Sequence, residues 1–193
     1  MGTGKLLIKV PASLKFVVTG ALPPYVMAKD LILQIIGDLG VDGATYCAME
    51  FEGPAIAALS IAERMTICNM AIEAGAKNGI MAPDEVTLAY VRRRTPKPFR
   101  CYQSDPDAVY LRVHSYDGAA LVPVVALPHS PDHLAKAADC GGQRIDRAYV
   151  GSCTGGKTED FLAAARLLKG RRVKVETFLV PATVEVAQDL ERE

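Results

Sequence analysis

Two stretches of this chain carry residue types and spacings that could do chemistry. In the first, Gly151, Gly156, Lys157 and Thr158 fit the spacing G-x-x-x-x-G-K-[ST]. The amides of such a turn, at the start of a helix, attract phosphate, and the lysine and hydroxyl would complete a nucleotide site. A P-loop enzyme also needs a carboxylate at the end of a later strand to hold magnesium. The only later strand candidate, 173–180, runs into Pro181 without an aspartate, and too little chain follows for the rest of such a core. The same turn, Gly151-Ser152-Cys153-Thr154-Gly155, has the form of a nucleophile elbow with cysteine as nucleophile. A helix N-terminus would lower that thiol's pKa. In hydrolases of that kind the acid and histidine follow the nucleophile, whereas His114, His129 and His133 all precede Cys153. The plainest reading is a glycine-rich strand-to-helix turn with a buried thiol. The second stretch holds Asn69 and Glu73, which at i and i+4 project from one face of a helix.

The elements that must position these residues follow from apolar spacing. Residues 6–20 read as two short strands around Pro11, and 28–39 as a helix with Leu31, Ile32, Ile35, Ile36 and Leu39 on one face, stopped by Gly40. A strand is expected over 45–52. A helix then begins at Ser60, with Glu63 three residues on as a capping box, and runs through Met65, Cys68, Ile72 and Ala76. On its wheel Ile61, Met65, Cys68, Ile72 and Ala76 form the expected buried stripe, with Asn69 at its margin and Glu73 further round. After a short apolar piece at 79–81, residues 84–93 read as a helix. Arg92, Arg93 and Arg94 sit at its end, where cations suit the macrodipole.

Proline and charge over 94–107 mark a linker, dividing the chain into a first α/β lobe, 1–107, and a partial second lobe, 108–193. The second lobe alternates strand 121–127, strand 148–151, helix 159–168, strand 173–180 and helix 183–190. Such alternation predicts parallel pairing and an α/β class. His129 and Asp132, among prolines, read as turn residues, and His114 and His133 as structural. The last helix shows no C-cap before Arg192-Glu193 and reads as interrupted.

Composition excludes several classes. Of 193 residues 50% are hydrophobic and 23% charged, so disorder is not the general reading. Lys+Arg 22 balances Asp+Glu 22, removing the basic footprint that nucleic acid demands. A neutral surface is also poorly protected against association with partners. Five scattered cysteines without C-x-x-C speak against a secreted disulfide framework and for a reducing compartment. Lys5, Lys9 and Lys15 interrupt every early apolar run, so no signal peptide is expected, and no stretch is long enough for a membrane span. The expectation is a soluble intracellular protein, cytoplasmic or in an organelle stroma or matrix.

Four blocks together resemble the aconitase superfamily, and within it the isopropylmalate dehydratases. They are Ala28-Lys29-Asp30 opening a helix, the run from Glu63 to Lys77 (R-M-T-x-C-N-M-x-x-E-x-G-A), Pro128-His129-Ser130-Pro131-Asp132, and Gly151-Ser152-Cys153-Thr154 followed by Glu159-Asp160. They occur in the family's order and cover nearly the whole chain. Many relatives carry asparagine where Gly155 stands, a subgroup difference.

The resemblance implies a hydro-lyase that moves a hydroxyl between neighbouring carbons of a hydroxy-dicarboxylate, interconverting 2- and 3-isopropylmalate in leucine biosynthesis. It implies a [4Fe-4S] cluster held by three thiolates, whose open iron acts as a Lewis acid toward the leaving hydroxyl. Cys153 corresponds to the first cluster cysteine. The other two lie in a C-x-x-C that this sequence does not contain, so the chain alone is expected to hold no stable cluster and to be inactive. Glu73 corresponds to the residue that hydrogen-bonds the iron-held hydroxyl or water, and Asn69 to one that helps position it. The family's substrate-binding histidines and its base serine are not found here. The serine belongs to a small dehydratase subunit, which is the implied partner together with the rest of the large subunit. A homoaconitase-type hydro-lyase and, in a different class, a P-loop-like nucleotide module built on 151–158 stand as alternatives. A truncated form that only binds partners is a third.

Overall fold

Residues Ala12–Thr19 (β1) alternate: Leu14, Phe16 and Val18 are buried while Lys15 and Val17 face the other way, the period-two pattern of a half-buried strand. In the computed structural model, which describes residues 2–192, β1 lies in a sheet with Cys47–Glu52 (β2), Asn78–Ile80 (β3) and Arg112–Asp117 (β4). The order is β3-β2-β1-β4, and every pair is parallel. Parallel neighbours need crossovers. Ala28–Leu39 (α1) joins β1 to β2, and Ile61–Met70 (α3), after the single turn Pro54–Ala57 (α2), joins β2 to β3. The core lies where these helices meet the Leu14, Phe16 and Val18 face.

The N-cap residue of α1, Met27, makes no side-chain cap bond to the first turn. Leu31, Ile32, Ile35 and Ile36 are fully buried, and at roughly 2 kcal/mol each they outweigh a missing cap worth about 1 kcal/mol. Helix α3 has the expected capping box: Ser60 Oγ accepts from the Glu63 amide at 3.2 Å, and Glu63 accepts from the Ser60 amide at 3.0 Å.

Glu85–Arg92 (α4) precedes residues 94–107, and after them Val124–Ala126 (β5) pairs antiparallel with Leu134–Lys136 (β6) beside α1. Arg147–Val150 (β7) and Glu176–Leu179 (β8) form a parallel pair joined through Thr158–Leu168 (α5), and Val184–Leu190 (α6) follows. The α/β class with mainly parallel sheets is as expected. Residues 94–107 contain no helix or strand, but Ser104 within them and Tyr110 just after them donate to the Glu50 carboxylate of β2 at 2.6 and 3.0 Å and fasten this stretch to the sheet.

Several expectations are corrected. Only one strand forms around Pro11. Residues 5–10 form no strand, and Leu6 and Leu7 are 82% and 100% exposed. The helix expected to reach Ala76 stops at Met70 and tightens into a 3₁₀ turn, Ala71–Ala74. Gly75 closes it in the left-handed region at φ 84°, where a Cβ would stand 2.9 Å from Thr45 Oγ1. The buried stripe is also rotated: Arg64, Thr66, Ile67 and Met70 are buried, whereas Met65 is 40% and Ile72 63% exposed. Strands β4 and β6 escaped the sequence reading, since β4 has no buried residue and β6 is three residues long. All five cysteines are free, and among the described residues no helix is long and apolar enough to cross a membrane.

Candidate functional site

The strand order reverses between β1 and β4. In an open parallel sheet, ligands collect beyond the carboxyl ends of the strands at such a point. The segments that leave β1 and β4 at those ends, running into α1 and β5, build one wall of a cleft of about 590 Å³. From α1 come Lys29, Asp30 and Leu33, and from β5 come Val124, Val125 and Ala126. Asp30 binds the two together. One carboxylate oxygen accepts from the Met27 amide at 2.8 Å, and the other from the Val124 amide at 2.8 Å.

The same cleft brings together two of the residues singled out from sequence, Glu73 and Cys153. Glu73, on the 3₁₀ turn after α3, and Ser152, Cys153 and Thr154, on the turn between β7 and α5, line the same cleft. Both Glu73 and Cys153 are exposed. Asn69 is exposed as well but is not part of the lining, so the structure gathers Glu73 and Cys153 and leaves Asn69 beside them. The chain's three histidines stay outside the lining, which removes the partner that a cysteine nucleophile would need. His114 stacks on Phe16 with centroids 5.0 Å apart, and burial holds its pKa below the usual value. Ser130 donates to Asp132 in the turn that also contains His129. Among the described residues no three histidine, cysteine or carboxylate side chains converge as a metal site.

The turn that presents Cys153 is closed from within. Ser152 Oγ accepts from the amides of Gly155 at 2.7 Å and Thr154 at 3.2 Å. Gly156 sits at φ 75°, and a Cβ there would lie 2.7 Å from the Val180 carbonyl oxygen, so a side chain would push the turn off the end of β8. Lys157, the residue that would cradle phosphate in a P-loop, points elsewhere. Its ammonium donates to Thr66 Oγ1 at 2.9 Å and to the Thr154 carbonyl. Burial holds its pKa below the usual lysine value.

Sequence reasoning missed the roles of four residues, Lys29, Thr66, Lys157 and Arg64. Lys29 is the one cation among the residues lining the cleft. Its signal was a lysine in the first turn of a helix, where the macrodipole disfavours positive charge. Thr66 and Lys157 join α3 to the cysteine turn, a pairing across 91 positions that local patterns cannot reveal. Arg64 is 4% exposed. It donates to both Asp84 oxygens at 2.6 and 2.7 Å and to the carbonyls of Leu59 and Ala57. The Arg64 guanidinium holds the Asp84 carboxyl well below the usual carboxylate range, at about 2.

Comparison with known proteins reaches nearly every residue. A family model described as "Aconitase family (aconitate hydratase)" matches residues 1–140 and 133–193. A 3-isopropylmalate dehydratase large subunit, chloroplastic, from Arabidopsis thaliana is 56% identical over 192 residues, covering 98% of this chain and 38% of the relative. One from Syntrophus aciditrophicus is 50% identical over 188 residues, covering 96% and 45%. A relative from Methanosarcina mazei named as a probable methanogen homoaconitase large subunit is 48% identical over 181 residues, covering 94% and 46%. The chain therefore spans less than half the length of these curated relatives.

Proposed function

This chain belongs to the aconitase family, and on that premise we propose that it is part of the large subunit of a 3-isopropylmalate dehydratase, interconverting 2- and 3-isopropylmalate. The observation that carries the reading is that Glu73 and Cys153, 80 positions apart in sequence, line one cleft. Each is the residue that the family blocks single out, and neither was placed by the other's local sequence.

The donor set fits one corner of a [4Fe-4S] cluster: Cys153 is a free, exposed thiol at the cleft. The remaining thiolates must come from outside these residues. When bound, the cluster supplies a Lewis acid that makes hydroxide a tolerable leaving group. Glu73 exchanges a proton with the departing or entering hydroxyl, so that water rather than hydroxide leaves. Asn69, one turn away, holds the Glu73 side of the site. Lys29 receives a substrate carboxylate, a charge pairing made stronger by the apolar wall of Leu33 and Val124–Ala126. Asp30 holds that wall to α1. The proton on the neighbouring carbon is taken by a base of the small subunit, the partner in this proposal.

The two-lobe division, 1–107 and 108–193, belongs to the same proposal, with β4 as the strand by which the second segment fastens to the first sheet. The chain acts in the cytoplasm or in an organelle stroma or matrix, and alone it turns nothing over because it supplies one thiolate. The test is to measure bound iron and isopropylmalate hydration, first on the chain and then on the enzyme assembled from the rest of the large subunit and the small subunit, with homocitrate offered in parallel. Isopropylmalate turnover by the assembled enzyme supports the reading. Preference for homocitrate replaces it with the homoaconitase alternative, and turnover by the chain alone overturns the need for outside ligands.

A further inference from the structure

Two buried threonines from distant segments meet behind the cysteine turn. Thr66 on α3 is 8% exposed and Thr154 is 6% exposed. Thr66 Oγ1 lies 3.2 Å from the Thr154 carbonyl oxygen and 3.2 Å from the Ala62 carbonyl oxygen. The Lys157 ammonium donates to both Thr66 Oγ1 and the Thr154 carbonyl, bridging helix and turn. A hydroxyl has one proton and two acceptor sites. With Lys157 donating into Oγ1, the Thr66 proton is left for one of the two carbonyls.

The position of this network gives it meaning. Thr154 directly follows Cys153, and Thr66 lies on α3, which runs directly into the 3₁₀ turn that carries Glu73, so the bridge ties the backbone beside the thiol to the helix that leads into the carboxylate. Other contacts of the turn do not set that relation. Ser152 closes the turn on itself, and the Gly156 carbonyl accepts from Ala182 at 2.8 Å, anchoring the turn to the chain after β8. Ser60 donates to Glu159 at 2.7 Å, but at an exposed site where solvent competes. A charge held in a half-buried site is worth keeping only if its hydrogen bonds are made well. Its lowered pKa records the cost of that burial.

We infer that Lys157 and Thr66 are positioning residues that hold the Cys153 turn at a fixed distance from Glu73. The inference rests on the dehydratase reading for its catalytic meaning, but its structural half stands independently. The geometry also accounts for a P-loop-like motif in a protein that uses it differently: the lysine turns back onto the fold instead of outward to a ligand.

Amide exchange of the full chain tests the structural half. Lys157→Met should speed exchange at the Thr154 and Gly155 amides about tenfold while α5 amides stay within about twofold of the unaltered chain. Lys157→Arg should restore protection to within about threefold, and Thr66→Val should loosen the turn without adding to Lys157→Met in the double variant. Exchange at Thr154 and Gly155 unchanged in Lys157→Met, or additive losses in the double variant, overturns the clamp. Should Lys157→Met fail to fold, Thr66→Val decides alone, because valine keeps the shape and removes only the hydroxyl. In the assembled enzyme, Lys157→Met should lower kcat at least about tenfold with KM within about threefold, since turn placement affects the reacting centre more than substrate capture. A KM effect without a kcat effect overturns the positioning role. Absence of any dehydratase activity in the unaltered assembled enzyme counts against the dehydratase reading itself, and the exchange results still judge the clamp.

Discussion

At the residue scale, charge does two different jobs. Arg64 is a structural cation, nearly buried and fully occupied by Asp84, the Thr87 hydroxyl and two carbonyls. Replacing it with methionine leaves those acceptors unpaired and should cost about 2–4 kcal/mol in urea unfolding. Asp84 adds a pH signature. Its folded pKa, about 2, is below the ordinary 3.8, so its stabilising contribution is present above about pH 4 and is lost as pH falls toward 2. Asp84→Asn should flatten the stability profile over that window; an unchanged acid slope would contradict the pairing. Lys29 is the opposite case, a cation placed at a helix start against the macrodipole and facing the cleft. Lys29→Met in the assembled enzyme should raise KM about tenfold with kcat nearly kept, as expected when uniform substrate binding is lost. A fall in kcat at constant KM would place Lys29 in the chemistry instead.

At the element scale, what could be read from sequence depended on how far away the deciding partner lay. Helix α1 was legible to its last residue because Leu31, Ile32, Ile35 and Ile36 state their own periodicity and Gly40 stops it. The capping box at Ser60 and Glu63 was legible for the same local reason. The face of α3 was not. Ile72 and Met65 suggested a stripe by hydropathy, yet the helix buries Arg64 and Thr66 because Asp84, Thr154 and Lys157 wait to satisfy them. Hydropathy ranks such residues as surface, and only their partners reverse the ranking. Strand β4 was missed because it is an edge without a buried side chain, so no alternation marks it. The corrected phase is testable: Ile67→Ala should cost about 2–4 kcal/mol and Ile72→Ala less than about 0.5 kcal/mol in the same unfolding assay. Equal costs would restore the original stripe.

At the scale of the whole molecule, the site is made by topology. Glu73 arrives through the crossover between β2 and β3, Lys29 through the one between β1 and β2, and Cys153 through the strand-to-helix turn after β7. Glu73 and Cys153 as candidates came from motif blocks in the sequence, and their sharing of a cleft is what the fold adds. Asn69 stands just outside the lining, so its part in the site rests on family likeness more than on geometry. The decisive measurement compares Glu73→Gln with Cys153→Ser in the assembled enzyme, reading cluster absorbance and isopropylmalate turnover on the same samples. Glu73→Gln should keep the cluster and lose at least about a hundredfold in kcat, the size of a missing general acid–base, while Cys153→Ser should lose both cluster and turnover. Full turnover in Glu73→Gln, or an intact cluster in Cys153→Ser, would contradict the account.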